Sequence, residues 1–236
     1  MPHVPVEISG ADPRVVRPRD LRGRYALPAK ELARLADAGA LLHLAHGYYA
    51  VVPEHYRGTR WRPSIEAVGL AIPQADYGHE HVAGMGPTAA RLLGAIPRAL
   101  GVAVVAVPKQ RPQLETAVGP VRFVTRDVRA LDVQRTETEL ATGWVTSAEQ
   151  TVLDLADRPT LGGLTTDDIT AAIRRLVPEV DWTRVGRLAR EQRKRPAAVR
   201  AAWVVGVEPP VRVGRRVPAE GLTGAEGSDP VAYGIA

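Results

Sequence analysis

Apolar positions recur at helical spacing from Leu32 through Leu35 and Ala36, so the spacing predicts a helix beginning near Pro28. Pro28 suits a first helical position, where its missing N–H would be unpaired in any case. Gly39 falls where a left-handed residue ends a helix. Beyond it the period shortens. Leu42 and Leu44 alternate with His43, Ala45-His46-Gly47 interrupts, and Tyr48-Tyr49-Ala50-Val51-Val52 resumes in extended style, which predicts a hairpin. Lys30, Arg34 and Asp37 step by four and three along the opposite, solvent-facing side of the helix. A short basic helix followed by a small hairpin has the sequence shape of a winged helix-turn-helix: helix in the major groove, hairpin tip on the backbone. An ordinary helix–hairpin unit with solvated charges has the same pattern.

A second set of periodicities starts near Trp61, after a basic linker from His55 to Pro63 that carries Arg57 and Arg60. Ser64 can cap a helix over 65–71, and Gly86-Pro87-Thr88 opens a short helix that Gly94 ends. Val102 to Val107 is a β-branched run expected as a buried strand, with the alternating Val121–Thr125 beside it and turn chemistry over 108–120. Ser147 and Gln150 have capping-box spacing ahead of an apolar face formed by Val152, Leu153, Leu155 and Ala156. Further helices are expected from Thr165/Thr166 to Pro178, and around Trp182, Val185, Leu188 and Ala189. The other face of the last carries Arg184, Arg187, Arg190 and Arg193. The fold class expected is α+β: a winged helix-turn-helix at 14–55 followed by a mixed α/β domain at 61–205. Residues 1–13 are expected as a flexible arm, and 206–236, rich in proline and glycine, as a flexible tail.

Composition narrows the function. Cysteine is absent from the 236 residues, which removes disulfides, thiolate metal sites and a cysteine nucleophile together. No apolar run approaches the roughly 20 residues of a membrane span, and the amino terminus lacks a signal-peptide pattern, so a cytoplasmic protein with no membrane partner is expected. A net charge of +5 favours an anionic partner only mildly. The basic residues are almost all arginine, as a GC-rich genome also produces, so the placement of charge matters more than its sum.

The order of segments resembles the AbiEi-type antitoxins of type IV toxin–antitoxin systems, in their actinobacterial form. The resemblance rests on Gly47-Tyr48-Tyr49-Ala50, Trp61-Arg62-Pro63-Ser64-Ile65-Glu66-Ala67, and His81-Val82-Ala83-Gly84-Met85-Gly86-Pro87-Thr88-Ala89-Ala90-Arg91. It continues through Gly94-Ala95-Ile96-Pro97-Arg98-Ala99-Leu100 and Ala103-Val104-Val105-Ala106-Val107-Pro108. The segment from Thr146 to Ala156 matches best. The resemblance implies an amino-terminal winged helix that binds inverted repeats in the operon's own promoter, and a carboxy-terminal domain that neutralises a nucleotidyltransferase-like toxin. Residues 1–16 depart from the family in lacking a clear first helix.

On that basis double-stranded DNA and a cognate toxin are the expected partners, with two protomers on a two-fold DNA site. Lys30 and Arg34 are the candidates for base or phosphate contacts, Arg22 and Arg24 flank the helix start, and His46 sits at the hairpin tip. Arg184, Arg187 and Arg190 are candidates for a partner surface, against the plain reading of a solvated helix face. No cofactor and no metal are expected: His79-Glu80-His81 would put two histidines on one face of a strand, without a third ligand nearby. Asp154 reads as a packing or hydrogen-bonding acid, and no Ser/His/Asp grouping or phosphate-binding glycine loop points to an enzyme. The alternative is a freestanding winged-helix regulator whose second domain senses a signal or dimerises. An enzyme related to restriction or nucleotidyl-transfer proteins is disfavoured by the missing catalytic clusters.

Overall fold

The structure, a computed structural model, describes residues 4–212. It is a mixed α+β protein whose chain divides into two compact units. Residues up to Gly84, Gly101–Val128 and Arg135–Trp144 make the first; Met85–Leu100, Arg129–Gln134 and Val145 onward make the second. Residues 14–55 lie within the first unit, whereas 61–205 is shared between the two.

The first unit opens with α1 (Val6–Ser9), β1 (Val15–Val16) and a 3-10 turn at Pro18–Leu21. The described part of the expected flexible arm, residues 4–13, is therefore packed. Val4 and Ile8 are buried in one apolar cluster with Val16, Leu21, Leu32, Leu35, Leu41 and Val51. These side chains leave water by closing over α2, and that burial outweighs the local absence of periodicity. Next come α2 (Pro28–Asp37), β2 (Leu41–Ala45) and β3 (Tyr48–Val51). Pro28 does occupy the first turn of α2, and Gly39 takes a φ of 72° beyond its end. Strand β3 is central in a three-stranded antiparallel sheet of order β1-β3-β2, pairing Val15 with Ala50 and Leu41 with Val51. The register shifts between His43 and Ala45, so Leu44 and Ala45 are both buried and strict alternation stops there.

Helix α3 (Ile65–Tyr77) follows, with the Ser64 hydroxyl accepting from the Ala67 N–H as its cap. It runs six residues past the expected stop at 71 and carries Pro73 in its interior. Strand β4 (Ala83–Gly84) ends this stretch, and α4 (Pro87–Leu92) opens the next. Strand β5 (Ala103–Val107) is buried along its whole length and pairs in parallel with β7 (Gly119–Thr125). Between them β6 (Leu114–Thr116) pairs antiparallel with β7, a strand where only turns were expected. Strands β8 (Val133–Glu137) and β9 (Thr142–Thr146) complete a six-stranded sheet of order β6-β7-β5-β4-β9-β8. Helix α3 lies on β5 through Gly69, where an added Cβ would stand 2.6 Å from the Ala103 Cβ.

The second unit is mainly helical: α5 (Ala148–Asp157), α6 (Thr166–Leu176), α7 (Trp182–Glu191) and α8 (Arg195–Val205). Thr165 and Asp168 form a reciprocal capping box at the start of α6. Helix α7 ends at Glu191, two residues before Arg193, which adopts a left-handed φ of 58° rather than extending the helical face. The expected tail begins at Gly206, yet Val211 is buried and Pro210 lies against Gly186 of α7. Apolar contact holds that part of the segment despite its prolines. The rest of the expected tail, 213–236, lies outside the described residues.

Candidate nucleic-acid interface

Every candidate DNA contact lies in the first unit on exposed backbone or helix surface. Arg22 and Arg24 sit in the turn between the 3-10 turn and α2; Lys30 and Arg34 project from α2; His46 occupies the β2–β3 turn, where Gly47 takes a φ of 79°. All five side chains are exposed. The opposite stripe of α2 is anchored by Leu32 and Leu35, both fully buried, so packing against the sheet fixes which face of the helix meets solvent. Lys30 has no ion-pair partner among the described residues. Arg34 has one: its Nε and Nη2 donate to Glu31 Oε2 and Oε1 at 2.9 and 2.6 Å. The Arg34 hydrogen bond holds the Glu31 carboxyl below its ordinary value, and that same bond holds the Arg34 guanidinium up. The Arg34 side chain is exposed, so a phosphate can take the place of Glu31 with little desolvation of the guanidinium.

A charged knot that sequence reading missed ties this region together. Asp76, near the end of α3, accepts from Tyr48 Oη at 2.8 Å, Arg17 Nη1 at 2.8 Å and Arg111 Nη1 at 2.9 Å, and also from Arg19. Arg17 is held in turn by Asp20, while Arg111 lies over the Phe123 ring at 4.2 Å. Burial pushes the Asp76 carboxyl up, but the bonds from Tyr48, Arg17 and Arg111 outweigh it and leave it below its ordinary value. The knot joins β3, the Pro18–Leu21 turn, α3 and the β5–β6 connection. Its bonded pairs are up to 59 residues apart, with no local spacing to mark them.

The arginines expected as a partner surface belong to the second unit and are not equivalent. Arg187 and Arg190 are exposed on α7 without a carboxylate partner among the described residues. Arg184 is half-buried and donates to Asp132, whose other oxygen accepts from Ser147 Oγ at 2.6 Å. Arg184 is thus committed to the fold.

The best-matching sequence motif also serves the fold. Ser147 caps α5 by accepting from the Gln150 N–H, but Gln150 does not reach back; its amide bonds Asp154 and Gln192 instead. Asp154 is buried, with Lys194 Nζ 2.9 Å away, and Lys194 also pairs with Asp157 at 3.2 Å. Glu149 accepts from the Asp181 N–H just ahead of α7. The polar face of α5 thereby holds the turns on either side of α7. His79, Glu80 and His81 form a 3-10 turn rather than a strand, so the shared face supposed for the two histidines does not exist. Among the described residues no group of three His, Cys, Asp or Glu side chains could hold a metal, and no helix is long and apolar enough to cross a membrane.

The class this architecture defines is a mixed α+β protein in which a helix and a three-stranded sheet precede a larger sheet and a helical unit. No family model and no curated protein matches the sequence. Among solved structures it is similar to the RV2827C protein from Mycobacterium tuberculosis, at 18% identity with a TM-score of 0.58, over 85% of this chain and 73% of that one. At that identity the likeness concerns the fold alone.

Proposed function

We propose that the protein is a non-catalytic, DNA-binding antitoxin of the AbiEi type that represses its own operon and neutralises a nucleotidyltransferase-like toxin. One observation carries the DNA-binding half: α2 packs its apolar stripe on the β1-β3-β2 sheet and leaves Lys30, Arg34 and the hairpin-tip His46 exposed in the same unit. A helical turn, a strand, a second turn and α2, followed by a hairpin that joins the first strand, is the arrangement a winged helix needs, with α1 as an abbreviated first helix. In this reading α2 enters the major groove, where an arginine reaching guanine edges discriminates by about 1–3 kcal/mol, and Arg22, Arg24 and His46 contact phosphates. Arg187 and Arg190 form the surface for the toxin.

The test is fluorescence anisotropy of the full chain with DNA from upstream of its own gene and with scrambled DNA of equal length, over a range of salt. Preference for the native DNA that survives physiological salt, and that is lost in Lys30→Ala/Arg34→Ala, supports the reading. Equal, salt-labile binding to both DNAs reduces it to counterion release.

A further inference from the structure

The connection after the hairpin carries more chemistry than a linker requires. Residues 55–63 hold Arg57, Arg60 and Arg62 with His55, Tyr56 and Trp61, and no acid. The segment has local structure. A 3-10 turn spans Glu54–Tyr56, the Thr59 N–H and Oγ both bond the Tyr56 carbonyl, and Gly58 takes a φ of 81°. Tyr56 is among the few large apolar side chains exposed in the described residues, at 42%, with its ring 4.1 Å from His55 and stacked at 6.1 Å on Trp61. Arg57 and Arg60 have no carboxylate partner among the described residues, and the Arg57 Nε is buried without a hydrogen bond.

The segment is also fastened close to the hairpin. Arg62 Nη1 donates to the Ala117 carbonyl at 2.6 Å, and the Ala117 N–H donates to the Leu44 carbonyl at 2.7 Å. Leu44 lies in β2 two residues before His46. A single residue, Ala117, therefore ties the segment to the strand that leads into the hairpin tip. Cations without counter-charge, set around the exposed Tyr56 ring beside a proposed DNA-contacting hairpin, suit a sugar–phosphate backbone: guanidinium groups take the phosphates and the ring packs on a sugar.

We propose that residues 55–62 form a second duplex-DNA contact, a basic–aromatic strap that grips the backbone beside the hairpin tip through Arg57 and Arg60. This rests on the DNA-binding reading above but concerns a different contact. The strap carries affinity and little sequence information, since phosphate contacts position the protein without reading bases.

The experiment compares the full chain with Arg57→Gln/Arg60→Gln and Tyr56→Ala, on native and scrambled duplexes and on the native single strand, with thermal melting as a check on folding. Each phosphate contact contributes about 0.9 to the slope of log K against log salt. The arginine double variant should lower that slope by about 1–2 on both duplexes while keeping the ratio between them. Tyr56→Ala should weaken binding severalfold at unchanged slope. An unchanged slope in a folded arginine variant overturns the strap and leaves the operator reading standing. Wild-type binding without preference for native DNA, but with the slope still lowered by the variant, overturns the operator reading and keeps the strap. Tighter binding of the single strand than of the duplex, or no DNA binding at all, overturns the strap.

Discussion

Tyr48, at the first position of β3, donates its hydroxyl to Asp76 of α3 at 2.8 Å, and so fastens the hairpin to the helix that follows it. Asp76 answers three guanidinium groups as well, two of them from the segment ahead of α2. The hairpin and the 3-10 turn that flanks α2 thus share one carboxylate. Removing it leaves cations and a phenol partly buried without their acceptor. Asp76→Ala should destabilise the protein by about 3 kcal/mol, and Tyr48→Phe, which deletes one bond to a charged group, by about 1.5 kcal/mol. Urea unfolding midpoints measure both.

The same carboxyl sets a pH dependence. Its folded-state pKa lies below the unfolded value of about 3.9, so it stabilises the fold above that value and the contribution is lost as pH falls through the folded pKa. The stability gap between wild type and Asp76→Asn should be constant from pH 5 to 7, by this argument, and close below about pH 4. A gap that widened on acidification would show that Asp76 is not held ionised by its partners.

Lys194 is the corresponding joint of the helical unit. It is nearly buried, and its ammonium serves the buried Asp154 and also Asp157. Lys194→Met should cost about 3 kcal/mol because it removes the positive charge beside a buried carboxylate, whereas Lys194→Met/Asp154→Leu should recover much of that loss. Chemical denaturation of the two variants checks the order.

Gly69 sets two effects of opposite sign against each other. Alanine in a helix interior is favoured over glycine by about 1 kcal/mol. The added Cβ, however, would stand 2.6 Å from the Ala103 Cβ, which is attached directly to the backbone of β5 and cannot swing away. Overpacking of this kind costs about 1–3 kcal/mol, so Gly69→Ala should be net destabilising, read as a lower melting temperature.

On the proposed antitoxin reading, charge reversal at Arg187 and Arg190, both exposed on α7, should abolish toxin neutralisation in co-expression while promoter binding stays intact. Arg184→Ala should instead lower stability, because its guanidinium is engaged with Asp132. Loss of neither activity on reversal removes α7 as the toxin surface.

Local signals explain which parts of this fold were readable from sequence. Pro28 and Gly39 around α2, Ser64 before α3, Ser147 before α5 and Thr165 before α6 act within a few residues, so these helices begin where the pattern placed them, although α3 runs on past 71. Strands β6 and β8 lie at the two ends of the six-stranded sheet, bury no complete face, and show no apolar alternation to read. Helix α8 is buried around most of its circumference by alanines and valines, which erases the amphipathic period. Residues 4–13 look irregular because Val4 and Ile8 gain their order from contacts across the sheet and α2 rather than from neighbours in sequence. The exposed cations could be named from spacing alone. Neither the Asp76 knot nor the commitment of Arg184 to Asp132 could, since both join segments far apart in the chain.

The most direct test of the account is hydroxyl-radical footprinting of the full chain on its own upstream DNA, alongside Lys30→Ala/Arg34→Ala. The account predicts two protected half-sites about one helical turn or a multiple of it apart, related by an inverted repeat, and both lost in the variant. Uniform protection along the fragment, or a footprint the variant retains unchanged, would contradict it.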